Sequence, residues 1–236
     1  MPSAITAAPP TAAPTFYYDI EQGTPEWHAL RRGRITASAI DCLMTGAGKP
    51  ANNETSRKAL YQLLAERITG ESEPSFYNDD MARGHLLEPY ARDLYSKKYG
   101  PVVECGFIVA QLGGVEIGYS PDGLVGDDGL IEIKSPRAKT HLKSLLTGEV
   151  PSEYISQVQT GLAVSGRQWC DFISYSPGLP LFVKGCYRDE AYITQLITAA
   201  QAAEEQLAGL MALYQERALL FPATEPLAPE SDEIIF

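Results

Sequence analysis

Residues 129–136 read GLIEIKSP, and this short stretch decides which fold and which chemistry the chain can carry. A strand places residues i and i+2 on the same face, so Glu132 and Lys134 project together while Ile131 and Ile133 project to the other face. One strand repeat of roughly 6–7 Å separates the acid from the amine. This spacing predicts a lysine that can touch a water beside Glu132 but is not locked onto the carboxylate. Two interpretations are open: a half-buried strand with an ordinary ion pair on its outer face, or a pair that takes part in chemistry.

The composition is that of a globular protein with a sizeable core. The chain has 236 residues, of which 44% are hydrophobic and 21% charged, and this suits one medium-sized domain. No apolar run approaches the roughly 20 residues that span a bilayer. The start, MPSAITAAPPTAAPTF, lacks the basic and apolar regions of a secretory signal. We therefore expect a cytoplasmic protein.

Cysteine and histidine are too scarce to build a metal site or a catalytic triad. The four cysteines are scattered without a CxxC pair, and there are only three histidines. Structural zinc and a disulfide framework are therefore not expected. A bound metal would have to use carboxylate oxygen, which favours magnesium, manganese or calcium.

The net charge of −11 argues against a nucleic-acid partner, but the distribution of charge weakens that argument. From Asp189 to the end there are nine acids and one base, Arg217, so this segment alone contributes a net charge of −8. The rest of the chain is nearly balanced. Local basic groups occur near Arg31 and again near Lys134 and Arg137, and a nucleic-acid site would require them to converge.

Hydrophobic periodicity and turn residues predict a mixed α/β fold with one central sheet flanked by helices. Thr24 and Pro25 open a helix that stops at Gly33, and Ser38 caps a second helix that ends near Gly46. Further helices are predicted over 55–68, from Asn78 or Asp79 to Tyr99, and over 138–147, 151–165 and 190–220. Strands are predicted for FIVAQ, VEIGYS, LVG, LIEIKS, WCDFISYS and LFVKGCY.

The same pattern divides the chain into three parts. An Ala-, Pro- and Thr-rich lead-in over 1–16 is predicted to be flexible, and a folded domain is predicted over 17–221. An acidic, Pro-rich tail occupies 222–236.

A second acid, Asp122, joins Glu132 and Lys134. It lies in the turn SPDG after one strand, and the next connection leads into Glu132, so the two carboxylates are expected side by side. Two carboxylates can hold a divalent cation, which lowers the pKa of bound water and neutralises phosphate oxygens, while an ammonium positions the attacking water. The spacing D-x9-E-x-K is that of magnesium nucleases, although as a bare pattern it has a high false-positive rate.

Five segments in order add context to this triplet. They are WHALRRGRITAS from Trp27, RGHLLE from Arg83, SPDG from Ser120, EIKSP from Glu132 and QVQ from Gln157. Together they resemble the phage lambda exonuclease (YqaJ-type) viral recombinase family, a branch of the PD-(D/E)xK nucleases with a restriction-endonuclease-like core. The resemblance runs from about Trp27 to Tyr187.

The resemblance implies roles for single residues. The active site would comprise Asp122, Glu132, Lys134 and Glu88, with the Ile133 carbonyl as a further metal ligand and Lys134 orienting and deprotonating the attacking water. The terminal 5′-phosphate would be bound by Arg31, Ser38, Ser120 and Gln157. Contacts to the DNA backbone are expected from Thr36, Arg34, Lys49 and Arg137, and Met81 would wedge the duplex end apart.

The resemblance also implies an activity. We expect a magnesium-dependent exonuclease, with two Mg²⁺ ions for which Mn²⁺ can substitute, that degrades one strand of linear duplex DNA from its 5′ end to mononucleotides. A ring-shaped homotrimer and a single-strand annealing recombinase are the implied partners. Three alternatives stay open: an endonuclease of the same fold in restriction or repair, a non-catalytic DNA-binding protein, and a glycosidase using Asp122 and Glu132.

Overall fold

A computed structural model of the chain describes residues 13–72 and 79–225, and within them the chain folds into eight strands and seven α-helices. The strands are β1 Thr15–Tyr17, β2 Ile35–Thr36, β3 Phe107–Leu112, β4 Val115–Tyr119, β5 Gly123–Val125, β6 Gly129–Lys134, β7 Trp169–Ser174 and β8 Phe182–Tyr187. The helices are α1 Pro25–Arg31, α2 Ala37–Leu43, α3 Glu54–Thr69, α4 Asp79–Tyr99, α5 Ala138–Thr147, α6 Ile155–Ser165 and α7 Glu190–Ala218. A 3₁₀ turn, Ser152–Tyr154, precedes α6.

Most helix ends follow the capping signals of the sequence. Thr24 caps α1 by accepting a hydrogen bond from the backbone N–H of Trp27 at 3.3 Å, and α3 ends at Gly70 with φ 69°. Helix α4 already begins at Asp79, while the alternative start at Asn78 lies outside the described residues. The expectation that Ser38 caps α2 is wrong. Thr36 holds the capping position, which places Ser38 inside the first turn.

The strands divide into two four-stranded sheets, ordered β1-β3-β4-β2 and β5-β6-β7-β8, where the sequence predicted one central sheet. The division falls after Tyr119, because the SPDG turn carries the chain out of the first sheet before β5 begins. The hairpin between β3 and β4 forms as predicted. Its turn residues Gly113 and Gly114 have φ of 58° and 84°, which only glycine adopts easily.

Two short strands were not predicted. Strand β1 pairs antiparallel with β3, although Thr15 and Phe16 were assigned to the flexible lead-in. Strand β2 pairs in parallel with β4, with Ile35 opposite Ile117 and Thr36 opposite Gly118. Strands of two or three residues are too short to show an alternating pattern, so their pairing is visible only in three dimensions.

The two sheets share a layered core that positions β6. The larger hydrophobic cluster packs both sheets against α2, α3, α6 and α7 and includes Leu130. A smaller cluster packs Ile131 and Ile133 of β6 against Ala91 and Tyr95 of α4. The isoleucines thus face away from Glu132 as predicted, but the strand is covered on both faces. None of the described helices has the length and apolar character needed to cross a membrane.

Candidate active site

Glu132 lies in the middle of β6 with only 1% of its side chain exposed. Its Oε1 lies 2.7 Å from Lys134 Nζ, and its Oε2 accepts a hydrogen bond from the Tyr119 hydroxyl at 3.0 Å. The prediction that Lys134 stands too far away to be locked onto Glu132 is therefore wrong. The half-buried outer face, one of the two interpretations that the sequence left open, does not describe Glu132, which is buried. The long lysine side chain reaches back along the strand, because a buried carboxylate needs a counter-charge.

Lys134 is held as an ammonium. Burial disfavours its charged form, but the Glu132 and Asp122 carboxylates outweigh burial and raise the pKa of Lys134 above its ordinary value. The Lys134 Nζ also lies 5.4 Å from the ring centroid of Tyr154. An ammonium in this position can donate hydrogen bonds to water or to a phosphate oxygen.

Asp122 faces Glu132 across the β5–β6 pair. The register Gly123 opposite Ile131 continues by one step to place the two acids opposite each other, as their spacing predicts. Asp122 Oδ2 accepts a hydrogen bond from the Ile133 N–H at 2.6 Å. Burial, followed by the like charges of Glu132 and Glu88, raises the pKa of Asp122 well above its ordinary value. Carboxylates that raise each other's pKa in this way are typical of functional sites.

The Ile133 carbonyl turns towards the same edge of β6 as Asp122. Successive carbonyls of a strand alternate between its two edges, and the Lys134 carbonyl accepts a hydrogen bond from the Tyr175 N–H on the β7 side at 2.9 Å. The Ile133 carbonyl therefore points away from β7, as its predicted role requires.

Glu88 reaches the site from α4, on the face of β6 where the isoleucines pack. Its carboxylate accepts a hydrogen bond from Arg92, which also donates from Nε to the Asp122 carbonyl at 2.9 Å. Burial raises the pKa of Glu88, and the positive charge of Arg92 opposes that shift. Arg92 Nη1 further lies 2.9 Å from Glu104 Oε2. Arg92 thus ties α4 to the turn that carries Asp122.

The donor atoms at Asp122 and Glu132 fit a divalent cation. Glu132 Oε1 is buried and lacks a hydrogen-bond donor of proper geometry, although the Lys134 ammonium lies close by. This oxygen, the Asp122 carboxylate and the Ile133 carbonyl are hard ligands of the kind that Mg²⁺ and Mn²⁺ prefer. Across residues 13–72 and 79–225, however, no three His, Cys, Asp or Glu side chains are already gathered around one point. The predicted second ion at Glu88 stays a prediction.

A second group of polar side chains converges on Arg31. Its Nη1 donates a hydrogen bond to Ser120 Oγ at 3.0 Å and its Nη2 donates to Ser38 Oγ at 3.3 Å. The parallel pairing of β2 with β4 explains the convergence, since the two strands end at the same edge and lead into Ser38 and Ser120. The Trp27 ring lies under the Arg31 guanidinium, 4.3 Å from its carbon. Burial lowers the pKa of Arg31 below its ordinary value.

Ser120 is arranged as a hydrogen-bond donor. Its Oγ accepts hydrogen bonds from Arg31 and from Trp27 Nε1, both at 3.0 Å. A hydroxyl oxygen has two lone pairs and one proton. The Trp27 N–H is shared with the Gly106 carbonyl at 3.2 Å, while Arg31 donates to Ser120 directly. Because the Ser120 oxygen accepts in these contacts, its proton can be donated to an acceptor such as a phosphate oxygen.

One cleft of about 640 Å³ reaches from the Arg31 group to Asp122 and Lys134, and the buried Glu132 lies behind Lys134 outside the lining. Its lining includes the site residues Arg31, Ser38, Met81, Glu88, Ser120, Asp122, Ile133, Lys134, Arg137 and Gln157. The two glutamines of the QVQ segment differ in role. Gln159 is buried and bonded to the Tyr187 carbonyl at 2.8 Å and the Asp189 N–H at 2.9 Å, whereas half-exposed Gln157 faces the cleft.

The predicted DNA-backbone contacts are only partly brought together. Met81 and Arg137 line the cleft, and Arg137 Nε lies 2.9 Å from Asp80 Oδ1 in an exposed ion pair. Thr36 is 6% exposed, and its hydroxyl lies 3.0 Å from that of Ser38. Arg34 lies outside this lining, with Nε 2.6 Å from Glu116 Oε1, and exposed Lys49 lies outside it as well.

Comparison with known proteins identifies the group to which these residues belong. A family model for the YqaJ-like viral recombinase domain matches residues 26–168, well over half of the chain. The chain belongs to the YqaJ-like viral recombinase family. The resemblance drawn from the five sequence segments is thereby confirmed.

The chain is similar in fold to solved structures of exonucleases. An alkaline exonuclease (LHK-Exo) from Laribacter hongkongensis is 38% identical, with 84% of this chain and 99% of that chain covered and a TM-score of 0.74. The same exonuclease in complex with dAMP gives 37% identity, coverage of 84% and 100%, and a TM-score of 0.70. A phage related exonuclease from Haemophilus somnus 129PT is 13% identical, with coverage of 78% and 97% and a TM-score of 0.57, and shows the fold alone. Comparison with curated proteins yields no match.

These likenesses confirm the mixed α/β, restriction-endonuclease-like fold of the family. Three residues of the site were nevertheless missed by sequence reasoning: Tyr119, Arg92 and Trp27. Trp27 and Tyr119 each adjoin or begin a quoted family segment, yet nothing in those segments marks them as hydrogen-bond donors. Arg92 lies four residues after Glu88, and a helical i, i+4 acid–base pair is the one signal that could have identified it.

Proposed function

We propose that the protein is a metal-dependent exonuclease that degrades one strand of linear double-stranded DNA from a 5′-phosphorylated end. The observation that carries the proposal is that one cleft is lined both by an Arg31–Ser38–Ser120 anion pocket and by Asp122 and Lys134, with Glu132 bound to Lys134 behind it. The sequence relationship to an alkaline exonuclease supports nuclease activity, and the dAMP complex of that relative supports a mononucleotide product.

The pocket has the donors that a terminal phosphate requires. The Arg31 guanidinium and the Ser120 hydroxyl lie next to each other, and both line the same cleft as Gln157. A guanidinium binds phosphate through two parallel hydrogen bonds, so it fixes the orientation as well as the position of the DNA end. These groups make no use of base identity, which fits an enzyme that proceeds along any sequence.

The Asp122–Glu132–Lys134 group would then act on the first phosphodiester bond of the bound strand. Asp122, Glu132 and the Ile133 carbonyl would hold Mg²⁺, for which Mn²⁺ can substitute. When bound, the ion supplies charge neutralisation at phosphorus and a lowered pKa for the attacking water. Lys134 orients that water and donates to a phosphate oxygen. Its further role in deprotonating the water stays a prediction, since the neighbouring carboxylates raise its pKa.

The decisive experiment compares DNA ends and topologies. Linear duplexes with a 5′-phosphate, a 5′-hydroxyl or a recessed end, and closed circles, are incubated with the protein and Mg²⁺, and released nucleotides are counted from end-labelled strands. We expect mononucleotides from the 5′-phosphorylated strand, a residual 3′ single strand and intact circles. Cutting of circles would favour the endonuclease alternative.

Variants separate the pocket from the catalytic group. Arg31→Ala is expected to lose the preference for 5′-phosphate by about tenfold to a hundredfold, the range for a hydrogen bond to a charged group. Arg57→Ala is the matched control, since exposed Arg57 donates a hydrogen bond to Asn52 Oδ1 at 3.3 Å and does not line the cleft. Glu132→Gln is expected to abolish cleavage of every substrate. A full phosphate preference in Arg31→Ala would contradict the assigned polarity.

The proposal also includes an oligomeric assembly and a partner protein, both implied by the family resemblance. A ring-shaped homotrimer around the duplex and a single-strand annealing recombinase would suit an enzyme that leaves 3′ overhangs. Light scattering of the purified protein, with and without duplex DNA, tests the trimer. A monomer under both conditions would remove the ring from the proposal without affecting the cleavage chemistry.

A further inference from the structure

Glu132 is held from two sides by very different groups. On one side Oε1 meets the Lys134 ammonium, whose side chain is 25% exposed and lines the cleft. On the other side Oε2 accepts the hydroxyl of Tyr119, which is 1% exposed. Oε2 is therefore already held by a neutral hydroxyl, whereas Oε1 lies beside an ammonium that lines the cleft.

The position of the Tyr119 hydroxyl is fixed by packing and does not depend on Glu132. Tyr119 ends β4 and pairs with Ile108 of β3. Its ring lies across Gly161 of α6, where an added Cβ would stand only 2.7 Å from the ring carbon that bears the hydroxyl. The absence of a side chain at Gly161 creates the space that the ring fills, so the hydroxyl is presented to Glu132 by a preformed wall.

We propose that Tyr119 is a positioning residue that clamps Glu132 Oε2 and so presents Oε1 to the divalent cation. Without the clamp, the carboxylate can rotate about its terminal bond and point its lone pairs away from Asp122. The inference rests on the proposed function, because it assigns to Glu132 the role of a metal ligand. It adds a residue from the first sheet to a site whose acids lie on and beside the second.

The test is Tyr119→Phe, which keeps the ring in the Gly161 space and removes only the hydroxyl. Tyr95→Phe is the control, since the Tyr95 hydroxyl also donates to a carboxylate, Asp171 Oδ2 at 2.7 Å, and Tyr95 lies outside the cleft lining. Isothermal titration of the DNA-free protein with Mn²⁺ gives the metal affinity, and initial rates give kcat and KM.

We expect Tyr119→Phe to bind Mn²⁺ about tenfold or more weakly and to lower kcat by about tenfold to a hundredfold with little change in KM for DNA. Tyr95→Phe should leave both metal affinity and kcat at the level of the unsubstituted protein. Unchanged Mn²⁺ affinity in folded Tyr119→Phe would overturn the proposal. So would equal losses in both variants, because they would indicate a purely structural contribution.

A second measurement applies even when Tyr119→Phe does not fold. Fluorotyrosine inserted at position 119 keeps the ring and the hydroxyl, and its ¹⁹F resonance should shift on addition of Mg²⁺, whereas the same label at position 95 should not respond. No shift at 119 would overturn the proposal. Failure of the proposed function looks different: the unsubstituted protein would then not degrade linear duplexes, or Glu132→Gln would still do so.

Discussion

Replacing Lys134 with methionine should destabilise the metal-free protein and make its stability depend more strongly on Mg²⁺. Methionine keeps the length of the side chain but leaves Glu132 without its counter-charge. Removing one partner of a buried ion pair costs about 3–5 kcal/mol, and the lower end applies because the Lys134 side chain is 25% exposed. For a chain of this size, a loss of about 3 kcal/mol lowers the melting temperature by about 6–12 °C.

The pKa of Lys134 determines how the destabilisation of Lys134→Met changes with pH. A lysine whose pKa is raised by folding stabilises the folded state fully below its unfolded pKa of about 10.4, and this contribution is lost as pH rises above that value. The difference in free energy of unfolding between the unsubstituted protein and Lys134→Met should therefore be constant from neutral pH to about pH 9 and shrink at higher pH.

Calorimetry in EDTA and then in saturating Mg²⁺ measures both effects. A cation at about a hundred times its dissociation constant raises the free energy of unfolding by about 2.7 kcal/mol. Mg²⁺ should stabilise Lys134→Met more than the unsubstituted protein, because no ammonium competes with the cation for Glu132. Lys58→Met is the control. Its partner Glu54 and Lys58 itself are 77% and 76% exposed, so the loss should stay below about 1 kcal/mol. A Lys134→Met protein that melts within about 2 °C of the unsubstituted one in EDTA would refute the reasoning.

Three further predictions concern other contacts of the site. Asp122→Asn should raise the metal-free melting temperature at neutral pH, because it removes a carboxylate whose pKa is raised by burial and by like charges, while cleavage falls at least about a hundredfold; a lower melting temperature would contradict this. Trp27→Phe removes the donor to Ser120 and should weaken discrimination for 5′-phosphate about tenfold in rate comparisons on matched DNA ends. Arg92→Met releases Glu88 and the Asp122 carbonyl together and should lower kcat by about tenfold to a hundredfold; unchanged kinetics would show that α4 positions the acids without it.

The sequence carries enough information to place the acids but not to orient them. The two-residue period of a strand puts Glu132 and Lys134 on one face, and the short connection puts Asp122 opposite Glu132. The contact between Glu132 and Lys134 depends on how deeply β6 is buried, and burial comes from α4 and α6, which are distant in sequence. The strand pattern alone therefore could not show that Glu132 is buried while Lys134 on the same face reaches the cleft.

The same limit applies to the Arg31–Ser38–Ser120 anion pocket: the sequence indicates its residues but not their contacts. Arg31 and Ser120 belong to segments that the family pattern marks, so their roles were expected. Their convergence depends on the parallel pairing of β2 with β4, and β2 has two residues, too few for any periodicity. Ser38 looked like a helix cap because serine is favoured there, whereas the hydroxyl contacts Arg31 from inside the first turn.

The separation of the strands into two sheets has a consequence for how activity appears during folding. Ser120, which is proposed to bind phosphate, follows the first sheet, and Glu132 and Lys134 lie on the second, with the hydrogen bond from Tyr119 to Glu132 connecting the two sheets. A partly folded chain that has formed one sheet alone would contain part of the proposed phosphate-binding pocket without the proposed catalytic group, or the reverse. The proposed degradation of DNA thus requires both sheets to be formed and packed together.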